Sequence, residues 1–216
     1  MDLNRPLGVI TPTIDAEVLS VLAGARATFT GRQVQQVMGS HTQKAVWSAL
    51  QRLCEQGVVL KEQKGSAGIY SLNRDHLASP YILGLADMKN ELLERITKVI
   101  SGWEIKPVFA AIFGSAARGV MRLDSDIDIF IVRPDKVNAD DDVWVLFQTA
   151  LADSVTKWTG NDARIFELNE REVANGLAAE EQVLTDIRDQ AIVLLGERSI
   201  LKITNQIKKR GGRRGK

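Results

Sequence analysis

The chain has 216 residues, of which 44% are hydrophobic and 25% charged, and its formal net charge at pH 7 is +1. These values are ordinary for a globular protein, and the length suggests one or two domains. No hydrophobic run approaches the roughly 20 residues that a membrane-spanning helix needs, so we expect no membrane partner.

Cysteine and histidine are scarce, which limits the chemistry open to the chain. Cys54 is its single cysteine and there are two histidines. This content excludes an intrachain disulfide and indicates no zinc site. Because the N-terminus also lacks the apolar core of a signal peptide, we expect a cytoplasmic protein.

Positive charge is concentrated at the C-terminal end. The segment from Arg198 to Lys216 has eight basic and no acidic residues, whereas the rest of the chain has 20 basic and 27 acidic residues. We interpret residues 201–216 as a basic, disordered tail. It is either an arm that binds nucleic acid or a solubilising segment.

The N-terminal third alternates helical and extended patterns. Apolar residues at helical spacing predict helices over about 14–22, 30–37 and 42–55. Two strands follow, Val58 to Leu60 and Gly68 to Leu72, joined by a polar turn over residues 63–66.

Three helices followed by a hairpin resemble a winged helix-turn-helix domain, which we assign to residues 1–78. In such a domain the third helix reads DNA and the hairpin forms a wing. The resemblance implies that Lys44 and Arg52 on the helix, with Lys61 and Lys64 on the wing, contact DNA. With six basic and four acidic residues from Ile14 to Asn73, the electrostatic footprint is weak. A role in protein contacts or dimerisation is the alternative.

Ser79-Pro80 marks a boundary, because a proline disfavours helix in the residue before it. Residues 81–103 then carry apolar residues at helical spacing and predict one long helix. We assign residues 79–104 as a linker helix whose apolar stripe could support an oligomer.

The most informative stretch begins with an apolar strand from Val108 to Phe113. Gly114-Ser115 follows it, and after a gap come Asp126 and Asp128. Side chains two residues apart on a strand project to the same face. Two adjacent carboxylates repel unless a cation lies between them, and hard oxygen ligands favour Mg²⁺.

This order of strand, Gly-Ser turn, gap and Asp-x-Asp resembles the nucleotidyltransferases of the DNA polymerase β superfamily. Ala117-Arg118-Gly119 and Asp124-Ser125 match the minimal branch of that family. The resemblance implies a C-terminal α/β domain with a small mixed sheet, which we place at residues 105–200. The predicted fold class is therefore α+β and multi-domain, with the winged helix first and the nucleotidyltransferase domain second.

The resemblance also implies a reaction, the transfer of a nucleoside monophosphate from a nucleoside triphosphate, with ATP the expected donor. Asp126 and Asp128 would be catalytic and would hold one or two Mg²⁺ or Mn²⁺ ions. Gly114, Ser115 and Arg118 would bind the nucleotide's phosphates. A small molecule, a protein or RNA could be the acceptor, and some minimal members are antitoxins that modify a partner toxin. The alternative is a DNA-binding regulator whose nucleotidyltransferase-like domain senses nucleotide.

One departure from the family pattern concerns a third carboxylate, which members usually supply from the next strand. Here that strand runs from Ala163 to Leu168, and its register places Arg164 at the position in question. Asp162 and Glu167 are nearby, but Glu167 requires a register shift that reverses its face. Either one of them does the work, two carboxylates suffice, or the domain binds nucleotide without efficient turnover.

Two further helical regions complete the prediction. Asp140 to Asp142 suit the start of a helix that runs to about Trp158, because acids complement the helix dipole there. Residues 170–195 are interpreted as one or two helices.

Overall fold

The computed structural model describes residues 1–39 and 41–202. The predicted basic tail therefore lies outside the described residues from position 203 onward. The chain divides into two compact units, Met1–Glu91 and Leu92–Lys216. Within the described ranges, no helix combines the length and apolar character needed to cross a membrane.

Unit 1 is built from helices and one small antiparallel sheet with strand order β1-β3-β2. Its elements are a 3-10 helix (Pro6–Val9), α1 (Ile14–Ala23), β1 (Phe29–Thr30), α2 (Gly31–Met38), α3 (Gln43–Glu55), β2 (Val59–Lys64), β3 (Ala67–Leu72) and α4 (Ser79–Ala86). The three predicted helices and the hairpin are all present. The two-residue strand β1 was not predicted.

Local sequence explains the boundaries of α2. The Thr30 side chain accepts a hydrogen bond from the amide of Gln33, and the Gln33 side chain accepts one from the amide of Thr30. This reciprocal capping satisfies two amides at the helix start. Gly39 ends the helix in the left-handed conformation, with φ of 71°.

The buried side chains of Val18, Leu50 and their neighbours form one hydrophobic core in unit 1.

The prediction of a single helix over residues 81–103 is wrong. The structure has α4 and then α5 (Met88–Ser101), separated at Asp87. Asp87 leaves the helical region, with φ −92° and ψ 4°. Its carboxylate accepts a hydrogen bond from the Asn90 side chain at 2.6 Å. One residue outside helical geometry does not interrupt an apolar periodicity, so the pattern alone does not report the break.

Unit 2 contains a four-stranded mixed sheet of order β6-β5-β4-β7, in which β5 and β6 are parallel and the other pairs antiparallel. This confirms the predicted small mixed sheet. After α5 its elements are β4 (Phe109–Phe113), α6 (Gly114–Arg118), β5 (Ile127–Arg133), α7 (Asp142–Thr159), β6 (Ala163–Asn169), α8 (Glu170–Ala178), α9 (Gln182–Gln190), β7 (Ile192–Leu195) and a 3-10 helix (Arg198–Leu201).

The central strand β5 is buried on both faces. Ile127, Ile129 and Ile131 are fully buried on one face, and Phe130 and Val132 on the other. The second face joins the core formed with α8 and α9. A strand buried on both sides is almost continuously apolar, so the two aspartates at its start stand out.

The end of the predicted helical region 170–195 is wrong, because its last four residues form β7 beside β4. A run of four apolar residues, Ile-Val-Leu-Leu, has no periodicity that separates a buried strand from a helix.

The start of α7 matches its prediction: Asp141 is the N-cap and accepts hydrogen bonds from the amides of Val143 and Trp144.

Candidate functional site

The Gly-Ser turn begins directly where β4 ends. Gly114 has a φ of +69°, a conformation that side chains other than hydrogen rarely tolerate. A Cβ atom placed on Gly114 would lie 2.2 Å from Oδ2 of Asp128. The turn therefore passes against the second aspartate with no room for a side chain. Ser115 follows in the half-buried first turn of α6, where its carbonyl accepts the amides of Gly119 and Val120.

The aspartate doublet, Asp126 and Asp128, lies at the start of β5. Asp126 immediately precedes the strand, and Asp128 is its second residue, paired with Phe113 of β4. Burial, and then the neighbouring carboxylate of Asp126, raise the pKa of Asp128 above its ordinary value of 3.8. The two side chains are thus close enough to repel each other, as their spacing predicted.

Two arginines oppose this effect. Arg164 and Arg118 act to lower the pKa of Asp128, although burial and Asp126 outweigh them. Arg164 Nη2 lies 2.9 Å from Oδ2 of Asp126. Arg118 is exposed at the end of α6. The structure therefore gathers Gly114, both aspartates and two guanidinium groups at one end of the sheet.

The register of β6 settles which residue stands beside the doublet. Arg164 pairs with Asp128 across the parallel strands, as the sequence predicted. Glu167 pairs with Ile131, so it lies three residues further along and on the opposite face of the sheet. Its Oε1 is 2.6 Å from Nε of Arg133, in an ion pair whose side chains are largely buried. Glu167 is consequently occupied elsewhere.

Asp162, the other candidate for a third carboxylate, precedes β6. Its carbonyl accepts the amide of Ile127 at 2.8 Å, while the residue itself is exposed. Over the residues that the structure describes, no three His, Cys, Asp or Glu side chains form a group suited to a metal ion. The site thus presents two carboxylates without a third.

The loop before the doublet is held by a residue that sequence reasoning passed over. Asn161 is only 4% exposed, and its side-chain amide donates to the carbonyls of Leu123 and Ser125 at 3.0 and 2.8 Å. The Ser125 hydroxyl in turn accepts the amide of Arg122 at 2.9 Å. Asn161 therefore fixes the backbone that delivers Asp126. An asparagine after the helix-ending Gly160 was the available signal.

The donor set is suitable for a divalent cation that brings other ligands with it. Mg²⁺ is usually held by one or two carboxylates, with phosphates and water completing its coordination. The mutual repulsion of Asp126 and Asp128 is what such a cation would relieve. Without a third carboxylate, the same set is poor for an ion held by protein alone.

The four residues predicted to contact DNA lie in unit 1. Lys44 is exposed on α3, and Lys61 and Lys64 are exposed on β2. Arg52, also on α3, is engaged by Asp15: its Nη2 and Nε lie 2.8 and 3.3 Å from the two carboxylate oxygens. Arg52 would have to leave this pair to reach a phosphate.

Comparison with known proteins places the second unit. The family described as polymerase beta, nucleotidyltransferase matches residues 94–195. None of the curated proteins matches the chain. Two solved structures each cover 55% of this chain and 86% of their own, with a TM-score of 0.38. They are a toxin–antitoxin with AMP-PNP, 18% identical, and a mutant of the toxin–antitoxin MntA–HpeT, 17% identical. Residues 94–195 are a polymerase β nucleotidyltransferase domain.

Proposed function

We propose that this chain is a nucleotidyltransferase that moves a nucleoside monophosphate from a nucleoside triphosphate to an acceptor hydroxyl. The observation that supports this most is the contact between the turn and the doublet. Gly114 leaves space only for the Asp128 carboxylate, and Asp126 stands beside it. The family match over residues 94–195, which include these residues, supports the proposal.

Each residue at the site has a role in this proposal. Asp126 and Asp128 would hold Mg²⁺ or Mn²⁺, which when bound neutralises charge on the triphosphate. The Ser115 hydroxyl and the Gly114 amide would donate hydrogen bonds to phosphate oxygens. Arg118, exposed and close enough to influence Asp128, would contact a phosphate as well.

The reaction balances without any redox partner. The acceptor oxygen forms a bond to the α-phosphorus while the bond from that phosphorus to the α–β bridging oxygen breaks. Pyrophosphate leaves with the electron pair, and the acceptor's proton passes to solvent. The chain's own residues contribute by positioning the phosphates and by excluding other geometries, which is the main task in phosphoryl transfer.

The test is transfer of label from α-phosphate-labelled ATP, with Mg²⁺, into components of a host-cell extract. Asp126→Asn and Asp128→Asn should each reduce labelling by about 100-fold or more, because each removes a cation ligand. The exposed Asp124 supplies a matched control, since Asp124→Asn removes a carboxylate two residues before Asp126. Equal labelling by all four proteins would disprove the assignment. A labelled protein, RNA or small molecule would identify the acceptor, including a toxin-like protein partner.

We also propose that unit 1 is a winged helix-turn-helix domain that binds duplex DNA. The support is its element order, three helices and a hairpin with β1 completing the sheet, together with exposed Lys44, Lys61 and Lys64. A selection from random-sequence duplexes should yield salt-dependent binding, and replacing the three lysines with alanine should weaken it and flatten the salt dependence. Failure to bind any duplex at low salt would refute this second proposal and leave the first intact.

A further inference from the structure

The guanidinium of Arg164 occupies a specific place in the site. It stands on β6 directly beside Asp128, in the register where the third carboxylate was expected, and contacts Asp126 at 2.9 Å. Its side chain is 70% exposed, whereas that of Asp126 is 26% exposed. The arginine thus approaches from solvent and covers one side of the Asp126 carboxylate.

Two-metal catalytic sites, which include those of polymerases, hold their divalent ions about 3.5–4 Å apart. In this chain, one oxygen of Asp126 is already committed to a positive charge. A second dication in the same neighbourhood would be repelled by Arg164 and would lack a third carboxylate to offset that repulsion. One dication together with the guanidinium, in contrast, leaves no unbalanced carboxylate.

We infer that Arg164 replaces the second metal ion, so that the site takes one divalent cation, the one that accompanies the nucleotide. The inference rests on the proposed function and makes it more specific. The commitment of Glu167 to Arg133 on the other face of the sheet supports it. So does the lack, within residues 1–39 and 41–202, of any third acid grouped with the doublet.

The number of bound ions can be measured directly, without catalysis. Equilibrium dialysis against Mn²⁺ and the non-hydrolysable analogue AMP-PNP gives the ratio of protein-bound Mn²⁺ to protein-bound nucleotide. Wild-type protein should give a ratio of one at saturation. Arg164→Asp restores a carboxylate beside Asp128 and should raise the ratio to two. The exposure of position 164 makes this variant compatible with folding, which thermal unfolding would verify.

Arg171 offers a matched control. It is exposed on the same unit and pairs with Asp135 at 2.9 Å, so Arg171→Asp makes the same change of charge at an ion pair outside the doublet. This variant should keep a ratio of one. A ratio of two for the wild type, or of one for Arg164→Asp, would overturn the inference about Arg164 alone. Absence of AMP-PNP binding by the wild type would instead overturn the proposed function on which the inference rests.

Discussion

Gly114 and Asp128 are in such close contact that a single added carbon on the glycine would lie 2.2 Å from a carboxylate oxygen. The turn after β4 and the start of β5 therefore pack directly against each other. The positive φ of Gly114 directs the chain from the strand into α6, and the missing side chain leaves the space that Asp128 fills. The positive φ and the close contact both require glycine. The first affects the stability of the fold, and the second also affects the position of the Asp128 carboxylate.

Gly114→Ala should therefore lose both stability and ligand binding. The left-handed conformation costs about 1–2 kcal/mol for a residue with a Cβ. The clash would also displace the Asp128 carboxylate, and we expect the affinity for Mn²⁺–AMP-PNP to fall by about tenfold or more, as when metal ligands lose their orientation. Thermal unfolding and equilibrium dialysis measure the two effects.

Gly160 separates these effects, because it has a φ of +72° in the same unit and open space around its Cβ position. Gly160→Ala should share the loss of stability and keep nucleotide affinity. If both variants bind Mn²⁺–AMP-PNP like the wild type, the contact between Gly114 and Asp128 has no bearing on the ligand.

Asn161→Ala tests how the loop before Asp126 is held. The substitution deprives the carbonyls of Leu123 and Ser125 of a buried donor, which should cost about 1–3 kcal/mol of unfolding free energy. Since the loop delivers Asp126, affinity for Mn²⁺–AMP-PNP should fall too. Urea unfolding and dialysis measure these changes. Asn175→Ala, at an exposed position on α8, should stay within about 0.5 kcal/mol of the wild type. Equal effects of the two substitutions would contradict the role given to Asn161.

The part of the site that sequence predicted is the part set by short-range spacing. The positions of Asp126 and Asp128 on one face follow from the two-residue period of a strand, and the place of Arg164 followed from counting along β6. Neither the ion pair between Arg164 and Asp126 nor the bonds of Asn161 could be predicted in the same way. Both join residues more than 35 positions apart, and only the packed structure decides which side chains meet.

The errors in the fold have a related origin. The apolar stripe over residues 81–103 continues through Asp87, so periodicity alone gives one helix where the structure has two. Residues 192–195, predicted as helix, form β7 by pairing with β4, and pairing between strands distant in sequence leaves no local pattern. Caps, by contrast, are local: the capping residues of α2 and α7 were both visible in the sequence.

Glu167 should be structural and not catalytic. Removing one partner of a buried ion pair leaves the other uncompensated, so Glu167→Leu should destabilise the fold by about 3 kcal/mol. The double variant Arg133→Met with Glu167→Leu should recover much of that loss, because no charge is then buried alone. A double-mutant cycle in urea measures the coupling. Because Glu167 faces away from the doublet, folded Glu167→Gln should bind Mn²⁺–AMP-PNP like the wild type. Tenfold weaker binding of Mn²⁺–AMP-PNP by Glu167→Gln would indicate that Glu167 is a metal ligand.

Asp128 makes the stability of the metal-free protein depend on pH. Burial and the charge of Asp126 raise its pKa in the folded state above 3.8, so the folded state holds this proton more tightly than the unfolded chain. The corresponding stability is fully present below the ordinary pKa and is lost as pH rises through the raised value. At pH 7 the ionised carboxylate therefore opposes folding.

Asp128→Asn removes that ionisation with little change of shape. In a chelating buffer, the variant should unfold at a higher temperature than the wild type at pH 7, and the difference should shrink as pH falls toward 4. Mg²⁺ with AMP-PNP should reverse the order, because only the wild type keeps both carboxylates for the cation. Calorimetry across this pH range, with and without Mg²⁺–AMP-PNP, measures both trends. A metal-free variant that is less stable than the wild type at pH 7 would show that Asp128 stabilises the fold as an anion, and that the arginines outweigh burial and Asp126.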